Sequence, residues 1–349
     1  MINRKSYKVH FLLLLMVAVV TACQKNKPLP CNSENSDNIN CEDFPELWIS
    51  WFGEYRFQYK SPCFNPLNDN EFVYYYKDNE SGVFQLLKYN LVTQQKTILV
   101  NGVKIYGQPK WSRKGWIAFT TQPSFYVEHI FIVKDNGDSL TQLTSVTANY
   151  DPVWNYNGTK IYWLHSPVLG HPYYYLSKTL DEESIDTALY SNGENLGFCS
   201  KGDVSFDNKL IGHTFVNNKN YIGISNLNDL NFSLSGIFDY NVIFDYPSPE
   251  GLTWHSSGLY FYVSHPGGYN RGIHKVYLNG NVQRLMKHCD NKRYTIISCS
   301  KDGKKLIAER VDSFLERDDD NNPTGKIIQK SSIWLIDIET LKESRINLE

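Results

Sequence analysis

One five-residue pattern recurs six times along this chain and constrains its fold more than any other feature. Each copy has an aromatic or apolar residue, then a small or polar one, a turn ending in Gly or Asn, and an apolar strand. The first three copies are Phe64-Asn-Pro-Leu-Asn68 before Phe72-Val-Tyr-Tyr, Trp111-Ser-Arg-Lys-Gly115 before Trp116-Ile-Ala-Phe, and Trp154-Asn-Tyr-Asn-Gly158 before Ile161-Tyr-Trp. Then come Val204-Ser-Phe-Asp-Asn208 before Leu210-Ile, Trp254-His-Ser-Ser-Gly258 before Leu259-Tyr-Phe, and Cys299-Ser-Lys-Asp-Gly303 before Leu306-Ile-Ala. The anchors at 64, 111, 154, 204, 254 and 299 are separated by 47, 43, 50, 50 and 45 residues. That spacing fits one compact β unit per period and favours a propeller over another tandem β architecture, such as a sandwich pair.

The fifth residue of the copies reads Asn, Gly, Gly, Asn, Gly, Gly. Those types tolerate positive φ, so a tight hairpin with a left-handed residue there is expected in all six. Each period also holds a second hairpin. Ile130-Phe-Ile-Val133, Asp135-Asn-Gly137 and Leu140-Thr-Gln-Leu143 show it in one period, and Val276-Tyr-Leu278, Asn279-Gly280 and Val282 to Leu285 in another. Each period is therefore expected to be four antiparallel strands. The fold class is all-β, a six-bladed β-propeller of four-stranded antiparallel blades. The segment from Leu47 to Tyr59 is expected to add one strand beside the last blade and so cover an exposed edge.

The repeat also resembles a known family. Pro109-Lys-Trp111-Ser-Arg-Lys-Gly115-Trp-Ile-Ala-Phe119 is similar to the WD40-like repeat of the TolB type (PD40), whose core reads roughly Pro-x-Trp-Ser-Pro-Asp-Gly-Lys-x-Ile-Ala-Phe. Ile130 to Gly137 and Gln142-Leu-Thr144 match the rest of it, and the resemblance covers about residues 57 to 349. TolB itself carries a globular domain before its propeller. The repeat also occurs in peptidase-associated propellers and in one class of pectin-fragment lyases. The resemblance thus implies a fold and not the Tol-Pal role.

The amino terminus carries an export pattern. Arg4, Lys5 and Lys8 precede Phe11 to Ala22, in which only Thr21 is polar. Twelve residues are too few for a helix to cross a bilayer core, which takes about 20, but suit a signal peptide. Val20-Thr21-Ala22-Cys23 resembles the bacterial lipobox. That resemblance implies cleavage before Cys23, its lipidation and a stable acyl anchor. The alternative is an ordinary secretory signal with a coincidental cysteine. Gln24 is not the aspartate that retains lipoproteins at the inner membrane. Gln24-Lys25 looks like the start of a surface-export signal described for Bacteroidota lipoproteins, although Asn26-Lys27 stand where that signal turns acidic. The expected address is the cell envelope at the outer membrane, with the periplasmic or surface leaflet open. The domains expected are a signal peptide over 1–22, a disordered tether over 23–43, and the propeller over 44–349, since the tether is too poor in apolar residues to fold.

The formal charge of −2 becomes about −5 once Arg4, Lys5 and Lys8 are removed, and no basic block gives reason to expect nucleic acid. Besides Cys23 there are Cys31, Cys41, Cys63, Cys199, Cys289 and Cys299. Export permits oxidation, connectivity stays open, and Cys31 with Cys41 is the pair favoured by position.

No phosphate loop, nucleophile elbow or zinc-protease helix occurs, and no catalytic residue, metal site or cofactor is assigned. The loops between second and third strands are the expected binding face. They carry Phe125 and Tyr126, then His165 and His171, then His265 with Tyr269 and Arg271. His213 and His255 lie near inner strands. Converging imidazoles could hold a transition metal, but the histidines do not repeat between periods. Asp318 to Gly325 resembles a calcium loop only loosely, because Pro323 and Gln329 stand where Gly and Glu are needed, and it is read as a solvated hairpin. The runs Tyr74 to Tyr76 and Tyr173 to Tyr175 are read as packing surfaces rather than glycan platforms, and Trp111, Trp154 and Trp254 as core.

The expected function is a lipid-anchored envelope binding or scaffold protein that docks a protein or glycan on its loop face. The alternative is a metal-assisted lyase or hydrolase acting on oligosaccharides there, with carboxylates such as Asp151. Binding is favoured over catalysis, and ligand and oligomeric state stay open.

Overall fold

A computed structural model describes residues 54–124, 127–145, 148–165, 174–181, 186–189, 197–216, 219–227, 234–239, 249–265, 271–289, 291–320 and 322–349. All of them belong to the unit Ser33–Glu349. Cys23, Cys31, Cys41 and Leu47 to Phe52 lie outside the described residues.

The described residues form strands and turns and no helix. The strands fall into sets of four, consecutive in the chain. The first set is β1 (Glu54–Asn65), β2 (Asn68–Asp78), β3 (Phe84–Asn90) and β4 (Lys96–Asn101). The second is β5 (Ile105–Trp111), β6 (Trp116–Ser124), β7 (Val127–Lys134) and β8 (Thr141–Gln142). The third is β9 (Asn149–Trp154), β10 (Lys160–His165), β11 (Tyr174–Thr179) and β12 (Asp186–Leu189). Then follow β13 (Gly197–Val204), β14 (Lys209–Val216), β15 (Lys219–Asn226) and β16 (Leu234–Asp239). After them come β17 (Gly251–Trp254), β18 (Tyr260–His265), β19 (Gly272–Tyr277) and β20 (Val282–Lys287). The last set is β21 (Lys292–Cys299), β22 (Lys305–Arg317), β23 (Pro323–Asp337) and β24 (Glu343–Arg345).

Each of the four middle sets is a separate antiparallel four-stranded sheet in chain order. The first and last sets share one eight-stranded sheet, because β1 pairs in parallel with β23 through Glu54↔Ile328, Tyr55↔Gln329 and Gln58↔Ser331. The described part of the segment expected beside the last set, residues 54–59, does run there. The pairing covers an edge of β23 that would otherwise present open backbone groups.

The first strand of each set lies against the first strand of the next: β1 on β5, β5 on β9, β9 on β13, β13 on β17, β17 on β21, and β21 back on β1. Apolar clusters fill the spaces between neighbouring sheets. Val73, Leu86 and Leu99 meet Trp111, Ile117 and Phe119 in one. Phe72, Tyr74 and Tyr89 meet Ile307 and Ile333 in another. Strand alternation puts Tyr74 and Tyr76 into that second cluster and turns Tyr75 to the first, so the tyrosine run packs against sheets on both sides. Tyr175 is core as well, and Tyr173 lies outside the described residues. Trp111, Trp154 and Trp254 are buried, 5–6% exposed.

The repeat turns are left-handed at Gly115 (φ 74), Gly158 (φ 71), Asn208 (φ 58), Gly258 (φ 66) and Gly303 (φ 74). Asn68 is an exception to the expectation of six: it has no positive φ. There Asn65 pairs directly with Asn68, leaving a two-residue turn of Pro66 and Leu67. The proline ring holds its own φ near −65°, so the turn closes without a left-handed residue.

Cys63 and Cys299 are free thiols, whereas Cys289 is disulfide-bonded. The favoured pair Cys31 and Cys41 lies outside the described residues. Asp318, Asp319 and Asp320 sit exposed at the tip of the β22–β23 hairpin, where Asp318 Oδ1 accepts the backbone N–H groups of Asp320 (3.1 Å) and Asn322 (2.8 Å). That is the Asx-turn use of such a residue.

Candidate functional site

The residues just before the anchors are Cys63, Lys110, Val153, Asp203, Thr253 and Ser298. With the six anchors themselves, they line a cavity of about 350 Å³ at the carboxyl ends of the first strands. The chain builds this site by repetition: one register position, met once per set, reaches a common axis six times. The volume is at the lower end of the usual range for small-molecule sites.

Several of these side chains bind one set to the next. Asp203 Oδ2 accepts the backbone N–H of Trp254 at 2.8 Å and the Thr253 hydroxyl at 2.9 Å. Thr253 Oγ1 accepts the N–H of Cys299 at 3.1 Å, and Ser298 Oγ accepts the N–H of Phe64 at 3.2 Å. Trp154 Nε1 donates to the Lys110 carbonyl at 2.9 Å. Trp254 Nε1, its counterpart two sets later, is buried with no partner among the described residues.

Lys110 is buried, and its Nζ donates to Gln108 Oε1 at 2.7 Å. Gln108 is pinned in turn, its Nε2 donating to the carbonyls of Pro62 (2.6 Å) and Ile297 (3.3 Å). Burial pushes the Cys63 thiol up, with Lys110 opposing and Asp203 adding to the shift. Burial and Asp203 push Cys299 up as well. Both cysteines are therefore held as protonated thiols and are poor nucleophiles.

The turns interlock around the rim. The Arg113 guanidinium lies 3.9 Å over the Tyr156 ring, which meets Phe206 edge-on at 6.5 Å. Tyr156 N–H donates to Asn208 Oδ1 at 2.7 Å, so this position of the repeat is Asn both for its left-handed backbone and for its side chain. His255 stacks on Tyr260 with centroids 4.3 Å apart, and burial lowers its pKa. A Cβ on Gly303 would stand 2.3 Å from His255 Nε2.

The described residues expected on the loop face, His165, His265 and Arg271, lie elsewhere. His165 and His265 end β10 and β18, at the opposite end of the sheets from the cavity. His165 is 7% exposed, 2.8 Å from Asn149 Oδ1 through Nδ1, with its pKa lowered by burial. His265 is fully buried, its ring centroid 6.2 Å from that of His274. Arg271 is half-buried just before β19. Phe125, Tyr126, His171 and Tyr269 lie outside the described residues. His213 is buried on β14, and Asp151 sits on β9 with φ 52, its N–H donating to Thr120 Oγ1 at 3.2 Å. His255 is the single histidine among these that reaches the cavity. No group of three or more His, Cys, Asp or Glu among the described residues is placed to hold a metal.

The sequence pattern points to Trp111, Trp154 and Trp254 as core, which hides the residues before them as a cavity lining. A signal is present: the position before each anchor differs in character from copy to copy, with Lys110 and Asp203 charged where Val153 is apolar.

No protein-family model matches the chain, and no curated protein matches it. Among solved structures it is similar to TolB from Acinetobacter baumannii, with 14% identity, a TM-score of 0.52, and coverage of 82% of this chain and 62% of that one. It is also similar to a chain of the nidogen/laminin complex, with 13% identity, a TM-score of 0.53, and coverage of 75% of this chain and 90% of that one. The chain thus spans less than two thirds of the TolB structure. At such identities the likeness is one of fold. With the four-stranded sheets and their neighbouring first strands, it shows a β-propeller fold similar to that of the TolB structure.

Proposed function

We propose that this protein is a lipid-anchored scaffold of the cell envelope, a six-bladed propeller held at Cys23 that docks a protein or glycan on the loop face. One observation carries the reading: the first strands form a cycle joined from Phe64 back to Ser298, and the connections between second and third strands differ in length and sequence from set to set. Such scaffolds present binding loops without moving them. The reading assigns Phe125, Tyr126, His165, His171, His265, Tyr269 and Arg271 to this face, and the buried His165 and His265 end the strands β10 and β18 that lead toward it. The resemblance of Val20 to Cys23 to a lipobox supports the anchor, and Gln24-Lys25, with no retaining aspartate after Cys23, supports an outer-membrane setting.

Two measurements test it. Wild-type chain should partition into the membrane fraction and carry acyl chains by mass spectrometry, and the Cys23→Ala chain should do neither. Mild cross-linking in intact cells should capture an envelope partner that is lost when segments 121–128 and 164–173 are shortened. A Cys23→Ala chain that stays membrane-bound, or partners that survive both deletions, would overturn the anchor and the docking face respectively.

A further inference from the structure

We propose that the cavity at the carboxyl ends of the first strands binds a small zwitterion, an α-amino acid or short peptide. Its carboxylate would lie on Lys110 and its ammonium on Asp203. The cavity is at the end of the sheets opposite the loop face, so this site is independent of the docking reading.

The two charges line one cavity from β5 and β13, with β9 between them. Neither forms an ion pair with the other or with any described residue, although both act on the Cys63 thiol, Lys110 lowering and Asp203 raising its pKa. An ammonium has three donors, and Lys110 uses one of them on a neutral amide. Asp203 spends Oδ2 on the Trp254 N–H and the Thr253 hydroxyl. Its Oδ1 takes no hydrogen bond from the described residues. Two opposite charges are therefore held open toward a shared space, Asp203 half-buried and Lys110 buried, and the buried ammonium is costly to hold there without a counter-charge.

A ligand anion alone would satisfy Lys110 and be repelled by Asp203, and a cation alone the reverse. A molecule carrying both answers both. Val153, between them on β9, and the indoles of Trp111, Trp154 and Trp254 give apolar walls for a side chain. About 350 Å³ accommodates an amino acid or a dipeptide and excludes a long oligomer.

The test is calorimetric titration of the full chain in detergent with a panel of free amino acids and dipeptides, including L-alanine and Ala-Ala. The matched controls are N-acetyl-L-alanine, which lacks the ammonium, and L-alaninamide, which lacks the carboxylate. At least one zwitterion should bind, and its N-acetylated and amidated forms should bind at least about tenfold more weakly. Lys110→Met should abolish discrimination against the amide, and Asp203→Asn, which keeps an acceptor for Trp254, should abolish discrimination against the N-acetyl form. The proposal is overturned if no zwitterion of the panel binds, or if either single-charge form binds as well as the parent. The comparison of analogues on wild-type protein decides it even where a variant fails to fold.

Discussion

The backbone N–H of Phe64 donates to the Ser298 hydroxyl at 3.2 Å, joining parts of the chain 234 residues apart. It is the same joint that Asp203 makes to Trp254 and Thr253 to Cys299. The seam between the first and last sets is thus stitched like the others at the axis, with the parallel pairing of β1 and β23 added farther along.

Ser298→Ala should therefore cost about 1–3 kcal/mol, the upper end applying if the buried Phe64 N–H finds no water. Urea unfolding should show a lower midpoint with an unchanged slope. An unchanged midpoint would mean that this hydrogen bond does not hold the seam.

Gly115 and Gly303 have the same φ, 74°, but different neighbours. A Cβ at Gly115 would meet the mobile end of Asp135 at 3.3 Å, and one at Gly303 would meet His255 Nε2 at 2.3 Å. Gly115→Ala should cost about 1–2 kcal/mol from left-handed strain alone. Gly303→Ala should cost distinctly more, and His255→Ala in the same chain should recover part of the difference. Equal losses for the two alanine variants would argue against the interlocked turns.

Trp154 Nε1 has an acceptor in the Lys110 carbonyl, and Trp254 Nε1 has none among the described residues. Trp154→Phe should lose more stability than Trp254→Phe by about 1 kcal/mol, the usual net worth of such a bond. Both lose similar volume, so the difference isolates the hydrogen bond.

The protein should lose stability in mild acid. Burial, and then the charges of His265 and Arg284, hold His274 down at about 3. Burial, followed by the charges of His274 and His265, also drives His288 well below its usual value. In the unfolded chain these rings take up protons below their ordinary value of about 6.5, whereas the folded protein refuses them. Their contribution is therefore intact above that pH and falls away below it, by about 1.4 kcal/mol per pH unit for each histidine until its folded value is reached. Urea midpoints measured from pH 7 to pH 4 should decline, and His274→Leu should flatten the slope by about one proton. A variant with the wild-type slope would remove His274 as a cause.

Cys63 and Cys299 should resist alkylation in the native protein, because burial holds both as thiols. Mass spectrometry after brief iodoacetamide treatment at neutral pH should find them unmodified, and fully modified after denaturation. Rapid native labelling would show that the cavity opens wider than its described shape.

The repeat was legible because hairpin chemistry is local. Gly115, Gly158, Asn208, Gly258 and Gly303 announce left-handed turns within five residues of each anchor, and the run Phe72 to Tyr76 announces a packed strand, although that both of its faces are covered is decided by the neighbouring sheets. Asn68 shows the limit of that reasoning. Its residue type permits the left-handed turn, but Pro66 makes it unnecessary. The histidines show another limit: His165, His213, His255 and His265 read as one group in sequence, yet they end on different strands and at different ends of the sheets.

The amino-acid sequence by itself determined the strand-and-turn unit, its six copies and their spacing, because each depends on residues within one period. Only the tertiary structure decided that the residues preceding the anchors face one another. Lys110 and Asp203 are 93 residues apart and belong to non-neighbouring sets. They share a cavity because the first strands, each laid against the next, bring one register position of every repeat to the same axis.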